Sequence, residues 1–490
     1  MNKPNIIVIM ADQLKATALN LYGNTFCNTP ALEKLAAEGV LFENAFTPHP
    51  LCVPARVSLW TSQYPHSHGS RRNETLLAPV REHAFKLWKE AGYRTGLIGK
   101  NHCFGHPDDL ALFDTWCEIE HYGRVTKSPM KGMEWVRPVE RIDKAQTVRN
   151  NMPKLSPRIE CAVTDYPEED YTTAVIAQQT MRFLESHQDE PFALWVSFPD
   201  PHNPYEVPRK YADMFSKERI DLPPWIEGEF DSAPERNKVL HEMLGLEQDS
   251  IEDIYKVLGV YYGMTRFIDD AIGKIMDSLE KLNLTENTIV VFCSDHGDFM
   301  GEHRMIAKGG VFYDCLTRIP MIVSWPGRVI SGKIDDSMVN LMDVVPTLLK
   351  LQGLEIPGSM QGVLLPTITE ELPRDATFAE YGAGGPAFKM SDLEKFPKPY
   401  GRRTITDTLQ WREAEGRRKM VRTRKWKYVH DPMGDTDELY NLVSDPWELH
   451  NVIDQPCNKE VSADLNRRLA DWSIKTEDST PVPLPVTKKE

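Results

Sequence analysis

Residues 5–12, NIIVIMAD, form an unbroken apolar run that ends in a carboxylate. TGLIGK (95–100), PFALWVSF (191–198) and NTIVVFCSDHGD (287–298) repeat the plan, and IPMIVSWPG (319–327) adds another short apolar segment. A strand buried on one face alternates apolar with polar residues. A continuous Val/Ile/Leu/Phe run suits a strand covered on both faces, as in a parallel sheet. Segments of helical period lie between these runs: TPALEKLAAEGVLF, REHAFKLWKEAG, TAVIAQQTMRFLESH and VLGVYYGMTRFIDDAIGKIMDSLEKL. The alternation predicts an α/β fold, with a large, mostly parallel central sheet flanked by helices on both faces. Ligands of such sheets bind beyond the carboxyl ends of the strands. Asp12, Lys100, His102, Asp295 and His296 all stand at or just past such ends, so one crevice is expected to collect them.

Two stretches, 140–168 and 203–250, are rich in proline and charge and poor in periodicity; they read as long loops or insertions over a site. After about residue 370 the character changes. KMVRTRKWKYVHD reads as a hairpin, and a closing helix is expected near 461–474. The division predicted is a catalytic domain over 1–370 and a smaller C-terminal α/β subdomain, with a short antiparallel sheet, over 371–490. The tail from 476 is Pro-rich and polar and reads as extended or disordered.

The formal charge of −15 from 57 basic and 72 acidic residues, with no basic block, argues against a nucleic-acid partner. An acidic protein that handles an anion must gather its positive charge locally. No apolar run approaches the roughly 20 residues of a membrane-spanning helix, so no membrane partner is expected. The first apolar run is too short for a secretory signal, which places the chain, as numbered, in the cytoplasm. A periplasmic or secreted location requires a signal already removed. Eight cysteines without paired spacing form neither a disulfide framework nor a zinc site.

The cysteine in HPLCVPARVSLWTSQYPHSHG (49–69) is different. Cys52 lies between two prolines, Pro50 and Pro54, and four residues ahead of Arg56. Cys-x-Pro-x-Arg followed by this helical segment resembles the sulfatase signature. The resemblance extends to PNIIVIMADQL, YRTGLIGKNHCFG, CSDHGDFMGEH and AKGGVFYDCLTRIPMIV, and to the closing KWKYVHDPMGDTDELYNLVSDPWELHNV. These blocks run in order from residue 4 to about 452. The chain is thereby similar to type I, formylglycine-dependent sulfatases of the alkaline phosphatase superfamily.

The resemblance implies that Cys52 is the precursor of the working group. In the family the signature cysteine is oxidised to formylglycine (3-oxoalanine), by a formylglycine-generating or an anaerobic sulfatase-maturating enzyme. Its hydrate attacks sulfur and then collapses to release sulfate, so water need not attack sulfur again. Arg56 would hold the hydrate and balance charge. Asp12, Gln13, Asp295 and His296, with residue 52, would hold one divalent cation. Oxygen ligands favour Ca2+ or Mg2+, calcium being the preferred reading, and the imidazole shifts preference toward Mn2+ or Zn2+. Lys100 and Lys308 would bind sulfate oxygens. His102, on one face with Lys100 if that segment is extended, would serve the collapse, and His202 would serve the leaving oxygen.

The reaction expected is hydrolysis of a carbohydrate or aryl/alkyl sulfate monoester to alcohol and sulfate. Gln13 and His296 depart from the commonest family pattern and resemble the phosphonate monoester or phosphodiester hydrolase branch and some choline and carbohydrate sulfatases. Lys100 and His102 favour the sulfatase. A non-catalytic binder of sulfated ligands is the remaining alternative. Trp135, Tyr205 and Trp225 are candidates for stacking on a substrate ring, and Arg137, Arg141 and Arg158 for reading a second acid. His66, His68, His106 and His303 read mainly as structural, and Asp298 and Glu302 as supports of their loop.

Overall fold

The computed structural model describes residues 3–79, 81–120, 128, 130–247 and 249–477. Its centre is a nine-stranded sheet in the spatial order Lys333–Asn340, Gly39–Phe46, Met321–Ser324, Thr288–Ser294, Asn5–Asp12, Phe192–Pro201, Arg94–Gly99, Thr115–Glu118 and Met130–Lys131. The five strands from Thr288–Ser294 to Thr115–Glu118 run parallel. Met321–Ser324 is antiparallel to both neighbours, so the sheet is mixed but mostly parallel.

The first strand shows why its sequence does not alternate. Ile7, Ile9 and Ala11 belong to one hydrophobic core, while Ile6, Val8 and Met10 belong to another on the opposite face. The first core takes apolar residues from helices Pro30–Ala37, Thr172–Ser186 and Ile251–Lys281, and the second from Cys52–Thr61, Ala84–Glu90 and Val344–Leu351. Both faces are apolar because both are covered.

Local boundaries differ from the sequence reading in three places. The helix expected through GVLF stops at Ala37, and Gly39–Phe46 is a sheet strand. The stretch 140–168 carries helix Val139–Asn150 and strand Cys161–Thr164. The stretch 203–250 carries strand Tyr205–Pro208 and helix Glu235–Leu244. These helices lack an apolar period because they bury polar groups, Gln146 and Arg149 in the first and Arg236 and Asn237 in the second.

The second sheet is four-stranded and antiparallel: Ala376–Tyr381, Arg418–Thr423, Trp426–His430 and Glu438–Asn441. Helix Lys459–Thr476 closes on it, with Trp472 stacked 5.0 Å from Phe378. The tail beyond 477 lies outside the described residues. Among the described residues no helix is long and apolar enough to cross a membrane, and all eight cysteines are free thiols.

Candidate active site

Strands Thr288–Ser294, Asn5–Asp12, Phe192–Pro201 and Arg94–Gly99 are adjacent and parallel, so their carboxyl ends share one edge. Asp295 and His296, Asp12 and Gln13, His202, and Lys100 and His102 stand at or just beyond these ends. Residues up to 284 positions apart, Asp12 and His296, meet there.

Helix Cys52–Thr61 completes the cluster. Every residue of it is buried, as its lack of a polar face requires. Cys52 is its first residue, and Pro54 in the first turn has no N–H to leave unpaired. The Val53 N–H donates to Asn73 Oδ1 at 3.1 Å. Arg56, four residues on, falls on the same helix face as Cys52 one turn away, which is the structural meaning of the spacing. Arg56 Nε donates to Asp295 Oδ2 at 2.8 Å and Nη2 to Asp12 Oδ2 at 3.0 Å. Its Nη1 donates to the Lys100 carbonyl and to Ser197 Oγ, both at 3.0 Å. The guanidinium thus fixes the two carboxylates and ties them to the neighbouring strands.

Cys52 Sγ is 3.7 Å from Asp12 Oδ1, 3.2 Å from His296 Nε2, 3.0 Å from Lys308 Nζ and 3.8 Å from Lys100 Nζ. Lys100 Nζ also donates to Asp12 Oδ2. Burial and the Asp12 carboxylate push the Cys52 thiol up; Lys100, Lys308 and His296 outweigh them and hold it well below its ordinary value. Three cations, Arg56, Lys100 and Lys308, thus gather around two carboxylates and residue 52 inside an acidic protein.

Ligand-type atoms of Asp12, Cys52, Asp295 and His296 lie within 4.8 Å of one another, all buried. His296 Nδ1 is bonded to the Gly297 carbonyl at 2.9 Å, which fixes the ring and turns Nε2 to the cluster. Two carboxylates and an imidazole fit a divalent cation, with Sγ standing where an oxygen of a modified residue 52 would be. Gln13 is beside this set. Its Nε2 donates to Asp298 Oδ2 at 2.5 Å and its Oε1 accepts from Lys308 Nζ at 2.9 Å. An amide oxygen has two lone pairs, so the lysine leaves one for a cation. Gln13 has φ of 65°, a left-handed conformation rare for residues other than glycine and frequent at functional sites.

The segment after Arg94–Gly99 is not extended. Gly99 has φ of 105°, and a Cβ there would come within 2.0 Å of the Ser197 carbonyl oxygen. His102 has φ of 53°. The chain therefore turns, and the extended spacing considered for Lys100 and His102 does not occur. Lys100 reaches inward to Asp12, while His102 lines a cavity of about 270 Å³ with Cys52, Gln13, His202 and Lys308. His102 Nδ1 is buried and has no hydrogen-bond partner among the described residues. His202 Nδ1 is bonded to the Asn203 carbonyl at 2.5 Å.

The other named residues are engaged elsewhere. His66 contacts Glu380, His303 contacts Glu229, and His68 accepts from the Ser70 N–H. His106 caps a helix through Asp108 N–H. Asp298 takes hydrogen bonds from Gln13, Tyr205 and the Met300 N–H, and Glu302 pairs with Lys15 at 2.9 Å. Arg137 pairs with Glu169, Arg141 with Asp170 and Arg158 with Asp249. Trp225 is partly exposed under Arg304, and Trp135 packs on the core; Tyr205 lines the cavity.

Sequence reasoning missed the supports. Arg149 Nη2 donates to Asp200 Oδ1 at 2.6 Å and to the Pro204 carbonyl at 3.2 Å, bracketing the His202 turn. Glu413 takes the Asn73 N–H at 2.9 Å and its side-chain amide at 2.7 Å, so it fixes the group that caps the Cys52 helix. Both lie in segments without periodicity, and no local motif signals them.

Two carboxylates and an imidazole around one reactive position, flanked by lysines at the floor of a cavity, define a hydrolytic centre for an anionic ester. Residues 4–354 match the sulfatase family, and the chain belongs to that family of sulfate-ester hydrolases. It is similar to an arylsulfatase of Clostridium perfringens, 28% identical over 94% of this chain and 92% of that protein. It is also similar to a choline-sulfatase of Rhizobium meliloti, 27% identical over 97% of this chain and 88% of that protein. The solved phosphonate monoester hydrolase of Agrobacterium radiobacter has a TM-score of 0.78 at 23% identity, over 99% of this chain and 98% of that one. At that identity the likeness is one of fold.

Proposed function

We propose that the protein hydrolyses a carbohydrate or aryl/alkyl sulfate monoester to alcohol and sulfate, with residue 52 as nucleophile after conversion to formylglycine. The observation that carries this reading is the position of Cys52 on the cavity, 3.0 Å from Lys308 Nζ and clustered with Asp12, Asp295 and His296. Asp12, Asp295, His296 and residue 52 would hold one divalent cation, calcium by preference, with the Gln13 amide oxygen as a further ligand. Such an ion supplies positive charge and makes a hydroxyl acidic, and a hydrated aldehyde supplies two hydroxyls on one carbon.

The chain's own residues do the rest. Lys100 and Lys308 approach position 52 from different elements, so a sulfate oxygen placed there meets fixed positive charge at no cost of reorganisation. Arg56 keeps the two carboxylates in place. His102, whose buried Nδ1 has no partner among the described residues, is assigned to taking the proton when sulfate is released. His202, on the same cavity, is assigned to protonating the departing alcohol oxygen. Cys52 is 1% exposed, so its maturating enzyme, formylglycine-generating or anaerobic, must reach the segment before the helix docks.

The test is kcat/KM on p-nitrophenyl sulfate and p-nitrophenyl phenylphosphonate, measured in parallel on metal-replete enzyme. Faster sulfate turnover is expected. The reverse order would move the protein to the phosphonate reading that Gln13 favours. Sulfate binding without turnover of either would make it a binder.

A further inference from the structure

Three arginines on the cavity wall, Arg158, Arg402 and Arg412, have no part in the reaction as assigned. Arg158 is paired with Asp249 at 2.8 Å and Arg402 with Glu160 at 2.7 Å. Arg412, on the short helix Leu409–Ala414, also lines the cavity. Its Nε donates to Thr408 Oγ1 and its Nη2 to the Ile405 carbonyl, each at 2.9 Å. A guanidinium has five N–H donors, and Arg412 forms no ion pair with a carboxylate among the described residues.

Neither nearby acid, Glu413 or Glu415, forms an ion pair with Arg412 among the described residues, although both act on it through space. Both Glu413 oxygens are held by Asn73, and Glu415 lies 3.5 Å from Arg418. Burial pushes the Arg412 guanidinium down by more than Tyr381, Glu413 and Glu415 push it up. Arg412 is partly buried, and an acid entering the cavity can take the N–H donors that its two hydrogen bonds leave over. Arg158, one of the three arginines the sequence offered for that role, is paired with Asp249.

We infer that Arg412 determines specificity by pairing with a second acidic group, a carboxylate or a further sulfate, on the ring that carries the sulfate ester. The inference rests on the sulfatase reading. Arg412 and Cys52 border the same cavity of about 270 Å³. That volume is near the lower end for ligand sites, so a single ring would span it.

The test uses 3- and 4-sulfooxybenzoate, each against its methyl ester, with p-nitrophenyl sulfate as reference. The wild-type enzyme is expected to prefer the acid to the ester at one ring position at least. Arg412→Gln is expected to lower the acid-to-ester ratio of kcat/KM about tenfold through KM, the scale of a charge-assisted hydrogen bond, and Arg412→Lys to recover part of it. No preference for the acid at either position, or an unchanged ratio in Arg412→Gln, would overturn the inference. A purely structural residue would lower both rates together and leave the ratio unmoved. Absence of turnover of all five compounds by the wild-type enzyme would overturn the sulfatase reading with it.

Discussion

Two clusters of buried charge in this molecule look alike by composition and differ in what they face. In the first, Arg56, Lys100 and Lys308 surround Asp12 and Asp295 beside Cys52 and His296. In the second, Lys427 is fully buried 2.6 Å from Asp314 Oδ1 and 2.5 Å from Glu448 Oε1, and Arg422 lies 2.9 Å from Asp314 Oδ2. The second cluster has two cations and two anions. Its lysine also bonds the Phe312 carbonyl at 2.6 Å and ties the C-terminal sheet to the segment after Lys308. The first has three cations to two carboxylates and opens on a cavity. Buried charge alone does not mark a reactive centre. Unbalanced positive charge with access for a ligand does.

Mutations should separate the two. Cys52→Ala is expected to lower kcat/KM by about a thousandfold or more while the urea midpoint stays within error, because the nucleophile goes and the packing remains. A large fall in midpoint would assign Cys52 to the fold. Metal removal is the next largest effect. Dialysis against a chelator should lower turnover about a hundredfold or more, with recovery on adding one of Ca2+, Mn2+, Mg2+ or Zn2+. Unchanged activity in verified metal-free protein would remove the cation from the first cluster.

Lys427→Met should do the opposite of Cys52→Ala. Stranding Glu448, and leaving Asp314 to Arg422 alone, is expected to lower the unfolding free energy by about 3–5 kcal/mol, read from urea titration, with kcat/KM of the folded protein changed only a few-fold. Loss of turnover without loss of stability would erase the contrast between the clusters.

The last effect comes from buried groups outside both clusters and grows only as the pH falls. Burial holds the His49 and His68 imidazoles down to about 3 from an ordinary value of 6.5. Below pH 6.5 the unfolded chain takes up protons that the folded chain refuses until about pH 3. Stability is therefore full above that range and falls with pH through it, by up to about 1.4 kcal/mol per pH unit for each histidine. Urea titrations at pH 7, 6 and 5 should show the slope, and His68→Gln should flatten it.

The sequence exposed the site's inner half because strand ends carry it. Asp12, Lys100, Asp295 and His296 each follow an apolar run, and parallel neighbours bring such ends together whatever their separation in the chain. Cys52 and Arg56 were legible as one helix turn. The outer half was not. Asn73, Arg149 and Glu413 act through long-range pairing, and the helices that carry Arg149, Arg412 and Glu413 bury polar groups that leave no apolar period. The turn at Gly99 and His102 was hidden for a related reason. A positive φ depends on the close approach of Ser197, which belongs to another strand.

The central claim is that the encoded cysteine at position 52 is not the working group. Mass spectrometry of the peptide spanning Cys52, from native-host enzyme that turns over p-nitrophenyl sulfate, tests it directly. Replacing CH2–SH by CHO lowers the mass by about 18 Da, and that shift is expected in the active fraction. Full activity with the unmodified thiol mass would contradict it.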